Sequence, residues 1–263
     1  MPRIWAGVPQ TAGPESRTCG HRAAKLNPMI QLAKKSSAIS STPKAVTRRP
    51  LAPDRIEAIL KALDEAYPRA ECALTHQSPW ELLVATILSA QCTDARVNMV
   101  TPELFRRFPT PQKMAKATLP QLEALIRTTG FFRNKAKSIQ GAARKIVADF
   151  NGQVPQTLAE LITIPGAARK TANVVLGVCF NMAEGVVVDT HVLRIARRLD
   201  LTKSDTPQKV EQELMKIIPQ NRWINFSHQL IHHGRQVCIA RKPKCGHCNL
   251  EQLCTSKDKT WQS

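Results

Sequence analysis

From Asp54 onward the chain is interrupted at short intervals by residues that start or stop helices, and this punctuation restricts its fold more than any other feature. Asp54 is placed to cap a helix carrying Ile56, Ile59, Leu60 and Leu63 on one face, and Ser78-Pro79-Trp80-Glu81 reads as a capping box with proline at the first helical position. Further boundaries are predicted at Thr101-Pro102, Thr110-Pro111, Thr118-Leu119-Pro120, Gly130, Asn151-Gly152, Thr157-Leu158-Ala159-Glu160 and Thr206-Pro207. Leu82 to Ala90 is apolar on almost every side, so that helix is expected to run through a core. The only β-like run, Gly185 to Val188, is short and has no convincing partner, which excludes an α/β sheet architecture. The chain is therefore predicted to be all-α. It has no repeat that would build a solenoid, and no window nears the roughly 18 apolar residues of a membrane span.

Charge narrows the partners. The 263 residues carry a formal net charge of +18, which favours a polyanion such as nucleic acid. Nearly half of that excess lies before Leu51, where nine Lys and Arg stand against one acid, Glu15. This segment has no sustained hydrophobic period and cannot offset its ordering entropy, so residues 1–52 read as a disordered basic tail. Met29 is an alternative start. A DNA-tethering arm and an organellar or nuclear targeting segment both stay open, against a cytoplasmic, nucleoid-associated location for a bacterial protein.

Eight cysteines are too few for a disulfide scaffold in a chain of this length. Four of them, Cys238, Cys245, Cys248 and Cys254, fall within seventeen residues with the spacing C-x6-C-x2-C-x5-C, which points to a metal site. Structural zinc usually gathers two tight C-x2-C pairs, and here only Cys245 and Cys248 form one, so the spacing favours an iron–sulfur cluster over zinc. The remaining cysteines, Cys19, Cys72, Cys92 and Cys179, read as scattered small hydrophobes. Arg241, Lys242 and Lys244 lie in the first loop of the four-Cys segment, which could meet phosphates or remain a solvated face.

The centre of the chain carries a second pattern. Leu158 to Thr163 reads as a short helix, Ile164-Pro165-Gly166-Ala167-Ala168 as a tight connection, and Arg169 to Asn181 as a second helix. Such a hairpin can aim backbone N–H groups from a positive helix end at a phosphate, although P-G between helices is by itself only a turn. Lys170 occupies the first turn of the second helix, where the dipole and neighbouring Arg169 disfavour an ammonium, and a neutral amine is a nucleophile. Asp189 ends the apolar run Val186-Val187-Val188 and is a carboxylate with two compatible roles, helix cap and catalytic charge. His191 is read as structural.

The succession Ile164-Pro165-Gly166-Ala167-Ala168-Arg169-Lys170-Thr171-Ala172-Asn173, then Val188-Asp189-Thr190-His191, then the four cysteines, resembles the endonuclease III family of helix–hairpin–helix DNA glycosylases. The likeness runs from about Pro53 to Asp258 and includes Leu88-Ser89-Ala90-Gln91-Cys92-Thr93-Asp94 and Gly130-Phe131-Phe132-Arg133-Asn134-Lys135-Ala136, which look like the family's two DNA-inserting loops. The resemblance implies a bifunctional glycosylase/AP lyase that excises oxidised pyrimidines and cleaves the abasic site by β-elimination. It implies Lys170 as nucleophile, Asp189 as the stabilising carboxylate, and a [4Fe-4S] cluster on Cys238, Cys245, Cys248 and Cys254. Gln91 would bond the orphaned base and Phe131 would wedge into the stack, with Gly166, Ala168, Arg241 and Lys242 also on DNA. The two catalytic groups are expected to flank the sugar without a tight ion pair.

The expected architecture is a six-helix domain at 73–183 and a cluster domain from 53–72 plus 184–263, with a groove for damaged or abasic duplex DNA between them, in a monomer. An adenine-mispair glycosylase, which usually lacks a lysine at the Lys170 position, and a non-catalytic cluster-bearing DNA-binding protein are the rival readings. Ala168 departs from the family, whose hairpin usually has a second glycine there. A helical conformation, which alanine adopts without strain, is the expectation for it.

Overall fold

The computed structural model describes residues 52–261, all helix and connection with no strand among them. Expectations for the basic tail, Cys19 included, fall outside the described residues. The α-helices run α1 Pro53–Ala66, α2 Pro79–Leu88, α3 Asp94–Arg107, α4 Pro111–Lys116, α5 Leu119–Ile126, α6 Phe132–Asp149, α7 Leu158–Leu161, α8 Arg169–Phe180, α9 Thr190–Arg198, α10 Pro207–Ile217 and α11 Trp223–Gln236. None of them is long and apolar enough to cross a membrane.

Most starts follow local chemistry. The Ser78 side chain accepts from the Glu81 N–H, while the Glu81 carboxylate reaches back to the Gln77 N–H at 2.7 Å, one residue beyond the expected box. Thr93, Thr110 and Thr157 cap α3, α4 and α7 in the same way. Two boundaries differ from the sequence reading. Helix α1 begins at Pro53 with Ala52 at the N-cap, so Asp54 lies inside the first turn, where it meets the positive helix end without capping it. Helix α3 runs straight through Pro102. An internal proline costs about 3 kcal/mol, but each fully buried aliphatic side chain returns about 1.5–3 kcal/mol. With Val97 and Leu104 wholly buried and Phe105 nearly so, burial exceeds the cost of the proline.

The apolar side chains gather into two cores. One takes Leu82 to Leu88 of α2 with Leu104, Met114, Ile126, Ile139, Ile146, Leu161 and Leu176. As its all-round apolarity requires, α2 lies against α3, α6 and α8. The other core joins Ile56, Ile59, Leu60 and Leu63 of α1 to Val186, Val192, Ile195, Leu214, Phe226 and Leu230, more than a hundred residues later in the chain. Between the cores, α8 meets α10 and α11: Arg169 and Asn173 bond Glu211, and Gly177 lies against the Ile224 side chain.

Candidate active site

The hairpin forms where its sequence places it. Ile164 and Ala167 are buried and anchor the connection from within, and Ala167 N–H closes a turn on the Ile164 carbonyl at 3.0 Å. Gly166 has φ +82°, and a Cβ there would stand 2.9 Å from Ser138 Cβ and 3.2 Å from Ile87 Cγ2, so glycine is required both for the backbone and for the space. Ala168 is the N-cap of α8 at φ −75° and ψ 169°, extended and therefore neither helical, as expected, nor left-handed. Alanine carries no strain there. It also supplies no side-chain oxygen, so the N–H groups of Gly166, Ala168 and the first turn of α8 make no hydrogen bond among the described residues. Open donors in a row at a helix N-terminus are the kind of group that can accept an anion.

Lys170 is exposed in that first turn. The sequence reading sets the charge of Arg169 against it. The structure turns Arg169 away: its Nε donates to both carboxylate oxygens of buried Glu211, at 3.0 and 3.1 Å, and Asn173 Nδ2 donates to Glu211 Oε1 at 3.0 Å. Asp189 follows buried Val186–Val188, a run pinned by the Val187 N–H to Ser227 Oγ bond of 3.0 Å. Its Oδ1 accepts the N–H groups of His191 and Val192 at 2.8 and 2.9 Å, which makes it the N-cap of α9. Oδ2 has no partner among the described residues, so one carboxylate combines a cap with a free charged face. Neither a hydrogen bond nor an ion pair joins Lys170 to Asp189. His191 lies beside Arg194, Nδ1 to Nη2 3.1 Å, a packing role.

The two loop residues share an uncommon backbone. Gln91 has φ +52° and Phe131 φ +48°, both left-handed without being glycine, and Phe131 is 65% exposed. An aromatic ring held in water on a strained backbone is positioned for something outside the fold. The Lys135 N–H donates to the Phe131 carbonyl at 3.0 Å, and its buried side chain donates from Nζ to the Thr129 carbonyl at 2.7 Å; burial pushes this amine below the usual lysine range. Arg241 and Lys242 are exposed, Lys242 also at positive φ.

Cys238, Cys245, Cys248 and Cys254 line one small cavity, together with Arg198, Pro243 and Lys259. Among the described residues no three His, Cys, Asp or Glu side chains converge as one bound ion would require. Four thiols around one space are a donor set that an iron–sulfur cluster fits. Arg198 Nη1 donates to Cys238 Sγ at 3.2 Å and the Thr260 N–H to Cys245 Sγ at 3.4 Å. His233 Nε2 lies 3.5 Å from Cys248 Sγ. Burial pushes the Cys248 thiol up to about 11.

Glu211 and His233 escaped the sequence reading, and Lys135, read as part of an inserting loop, is instead buried in α6, yet each left a trace in the sequence. Glu211 adjoins Val210 and Leu214 on the inner face of α10. His233 continues the stripe Phe226–Leu230 of α11, and Lys135 continues the stripe of Ile139, Ala142 and Ile146 on α6. A polar residue on an apolar stripe implies a buried partner.

Residues 84–220 match the HhH-GPD superfamily base excision DNA repair protein model, and residues 238–254 the iron-sulfur binding domain of endonuclease III. The chain is 58% identical over 202 residues to endonuclease III of Synechocystis sp., covering 77% of this chain and 92% of the relative. It is also similar to two solved structures that each cover 78% of this chain and 96% of their own with a TM-score of 0.74: a non-covalent endonuclease III–DNA complex, 42% identical, and a trapped endonuclease III–DNA covalent intermediate, an estranged-adenine complex, 43% identical. The chain therefore carries a [4Fe-4S] cluster, and the matched segment runs from Cys238 to Cys254. With its hairpin, its open helix N-terminus and its four-Cys cavity, the chain belongs to the HhH-GPD superfamily of base excision DNA repair proteins, and within it to the endonuclease III family.

Proposed function

We infer that the protein is a bifunctional DNA glycosylase/AP lyase of base excision repair, acting on oxidised pyrimidines in duplex DNA. The observation that carries this is an exposed Lys170 amine beside a row of uncapped N–H groups, in a chain 43% identical to one trapped in a covalent bond with DNA. The N–H groups hold a backbone phosphate and bring the flipped nucleotide to α8. Lys170 Nζ attacks C1′, the C1′–base bond breaks, and loss of the amine proton and ring opening leave an iminium. The iminium acidifies the C2′ proton, whose removal expels the 3′ phosphate. Asp189 Oδ2, free because Oδ1 takes the cap, stabilises the positive charge on C1′ as the base departs.

Extrusion costs a few kcal/mol of stacking and pairing. Phe131 fills the gap and Gln91 bonds the unpaired base, while Gly166, Ala168, Arg241 and Lys242 grip phosphates. The six-helix domain spans 73–183 and the cluster domain 53–72 plus 184–263, with the duplex between them on a monomer. In a bacterial host it works in the cytoplasm, on the nucleoid. The [4Fe-4S] cluster supplies structure, since four cysteine ligands leave no open position for hydrolysis.

Borohydride reduction on an abasic or thymine-glycol duplex tests the reading. The native protein should give a covalent adduct and Lys170→Ala none; an adduct that persists in the variant would refute the nucleophile. Asp189→Asn should slow base release more than cleavage of a preformed abasic site, and equal loss in both would contradict its electrostatic role.

A further inference from the structure

We propose that Tyr67 and His233 form a relay that fixes an N–H···S hydrogen bond to the Cys248 ligand and thereby sets the reduction potential of the cluster. The inference rests on the cluster and not on the Lys170 chemistry. His233 is 1% exposed on the inner face of α11, where the spacing of Phe226 and Leu230 calls for another aliphatic side chain. Its ring lies between two groups, Tyr67 Oη at 3.0 Å from Nδ1 and Cys248 Sγ at 3.5 Å from Nε2. The rings of Tyr67 and His233 meet edge to face, centroids 5.7 Å apart at 76°, which holds the imidazole plane as well as its position.

The direction of the bonds follows from proton counting. A cysteine that ligates iron has lost its proton and can only accept, so Nε2 must carry the hydrogen that faces the sulfur. In the neutral ring Nδ1 is then a lone pair, and the phenol is the donor within reach. Tyr67 thus selects the tautomer that bonds the cluster. The opposite tautomer would place a lone pair against a thiolate and leave the phenol to accept from Nδ1. A hydrogen bond to a ligand sulfur draws off negative charge and favours the form of the cluster with one more electron.

The neighbouring ligands are served differently. Cys238 receives its bond from the guanidinium of Arg198, itself held by Asp258, and Cys245 from the Thr260 backbone N–H. Cys248 is the ligand whose donor depends on a second side chain 166 residues away in the chain. Tyr67 follows α1, at the point where the chain leaves the cluster core for the other core. The relay therefore ties the cluster's electronics to the packing of α1, whereas the other two donors are local to the cluster loop and α9.

The test is a redox titration of the cluster in the intact holoenzyme, read by EPR and normalised to iron content. His233→Leu should move the potential to more negative values, and Tyr67→Phe should move it the same way by less. His233→Gln should stay near the native value, since its amide can accept from Tyr67 and donate to Cys248. A role in packing alone would lower stability or iron content and leave the potential of the loaded fraction unchanged. An unchanged potential in His233→Leu, or His233→Gln shifted as far as His233→Leu, overturns the proposal. Should the variants fail to load iron, native protein labelled with ¹⁵N-histidine decides by pulsed EPR. A cluster coupled to a histidine nitrogen and to one exchangeable proton lost in D2O supports the relay, and the absence of that proton refutes it.

Discussion

Gly185→Ala isolates the clamp between α8 and α10. An added Cβ would sit 2.5 Å from Asn173 Nδ2 and press still closer on Glu211 Oε1, both well inside van der Waals contact. Gly185 lies outside the positive-φ residues, so the backbone accepts alanine and the whole cost falls on the clamp. To make room the Glu211 carboxylate must release its bonds to Asn173 and Arg169. A hydrogen bond to a buried charge contributes about 1.5–3 kcal/mol, and Asn173 is buried. The Arg169 side chain is 47% exposed, so its part is held to about 1 kcal/mol. The sum is a loss of roughly 2–4 kcal/mol, which at about 2–4 °C per kcal/mol for a domain of this size lowers Tm by roughly 5–15 °C. Thermal melts of the iron-loaded protein measure it. The decisive comparison is the same substitution in a Glu211→Ala background, where there is no carboxylate to displace and the further loss should fall below about 1 kcal/mol. If Gly185→Ala costs as much there as in the native protein, the clamp is not what the glycine protects.

Two further substitutions probe the DNA surface. Ala168→Ser gives α8 the capping oxygen it lacks, so it should raise stability by about 1 kcal/mol while lowering affinity for abasic duplex, because that oxygen takes an N–H meant for phosphate; a gain in both would count against the phosphate seat. Lys242→Ala should reduce the slope of log affinity against log salt by about 1 with lesion preference unchanged, as fluorescence anisotropy across a salt series would reveal. A slope equal to that of the native protein would remove Lys242 from the interface.

What could be read in the sequence was what is decided locally. Threonine and serine caps, proline at the first helical position and the four clustered cysteines act on residues three to seven positions away, and the helices and the cluster follow from them. Pro102 misled because its stop signal is real but is outweighed by burial of Val97 and Leu104 against residues distant in sequence. At Ala168 the sequence sets a helical against a left-handed backbone, and the N-cap takes a third conformation, extended. Glu211 and His233 were missed for a related reason. Their partners, Asn173 and Arg169 for one and Tyr67 for the other, lie 38 to 166 residues away. A polar residue on an apolar face announces that a partner exists without saying which.

The placement of α1 has a consequence for the order of events on the ribosome. Its apolar stripe, Ile56 to Leu63, is made first and is covered by Val192, Phe226 and Leu230, which are made near the end. At about 5–20 residues per second, that stripe waits on the order of ten to thirty seconds in the nascent chain. The core from Leu74 to Leu176 can meanwhile close on its own residues. The cysteines emerge later still, after α11, and Cys238, Cys248 and Cys254 pack against the same core as α1, so a shortage of iron would loosen α1 as much as the cysteine loop itself.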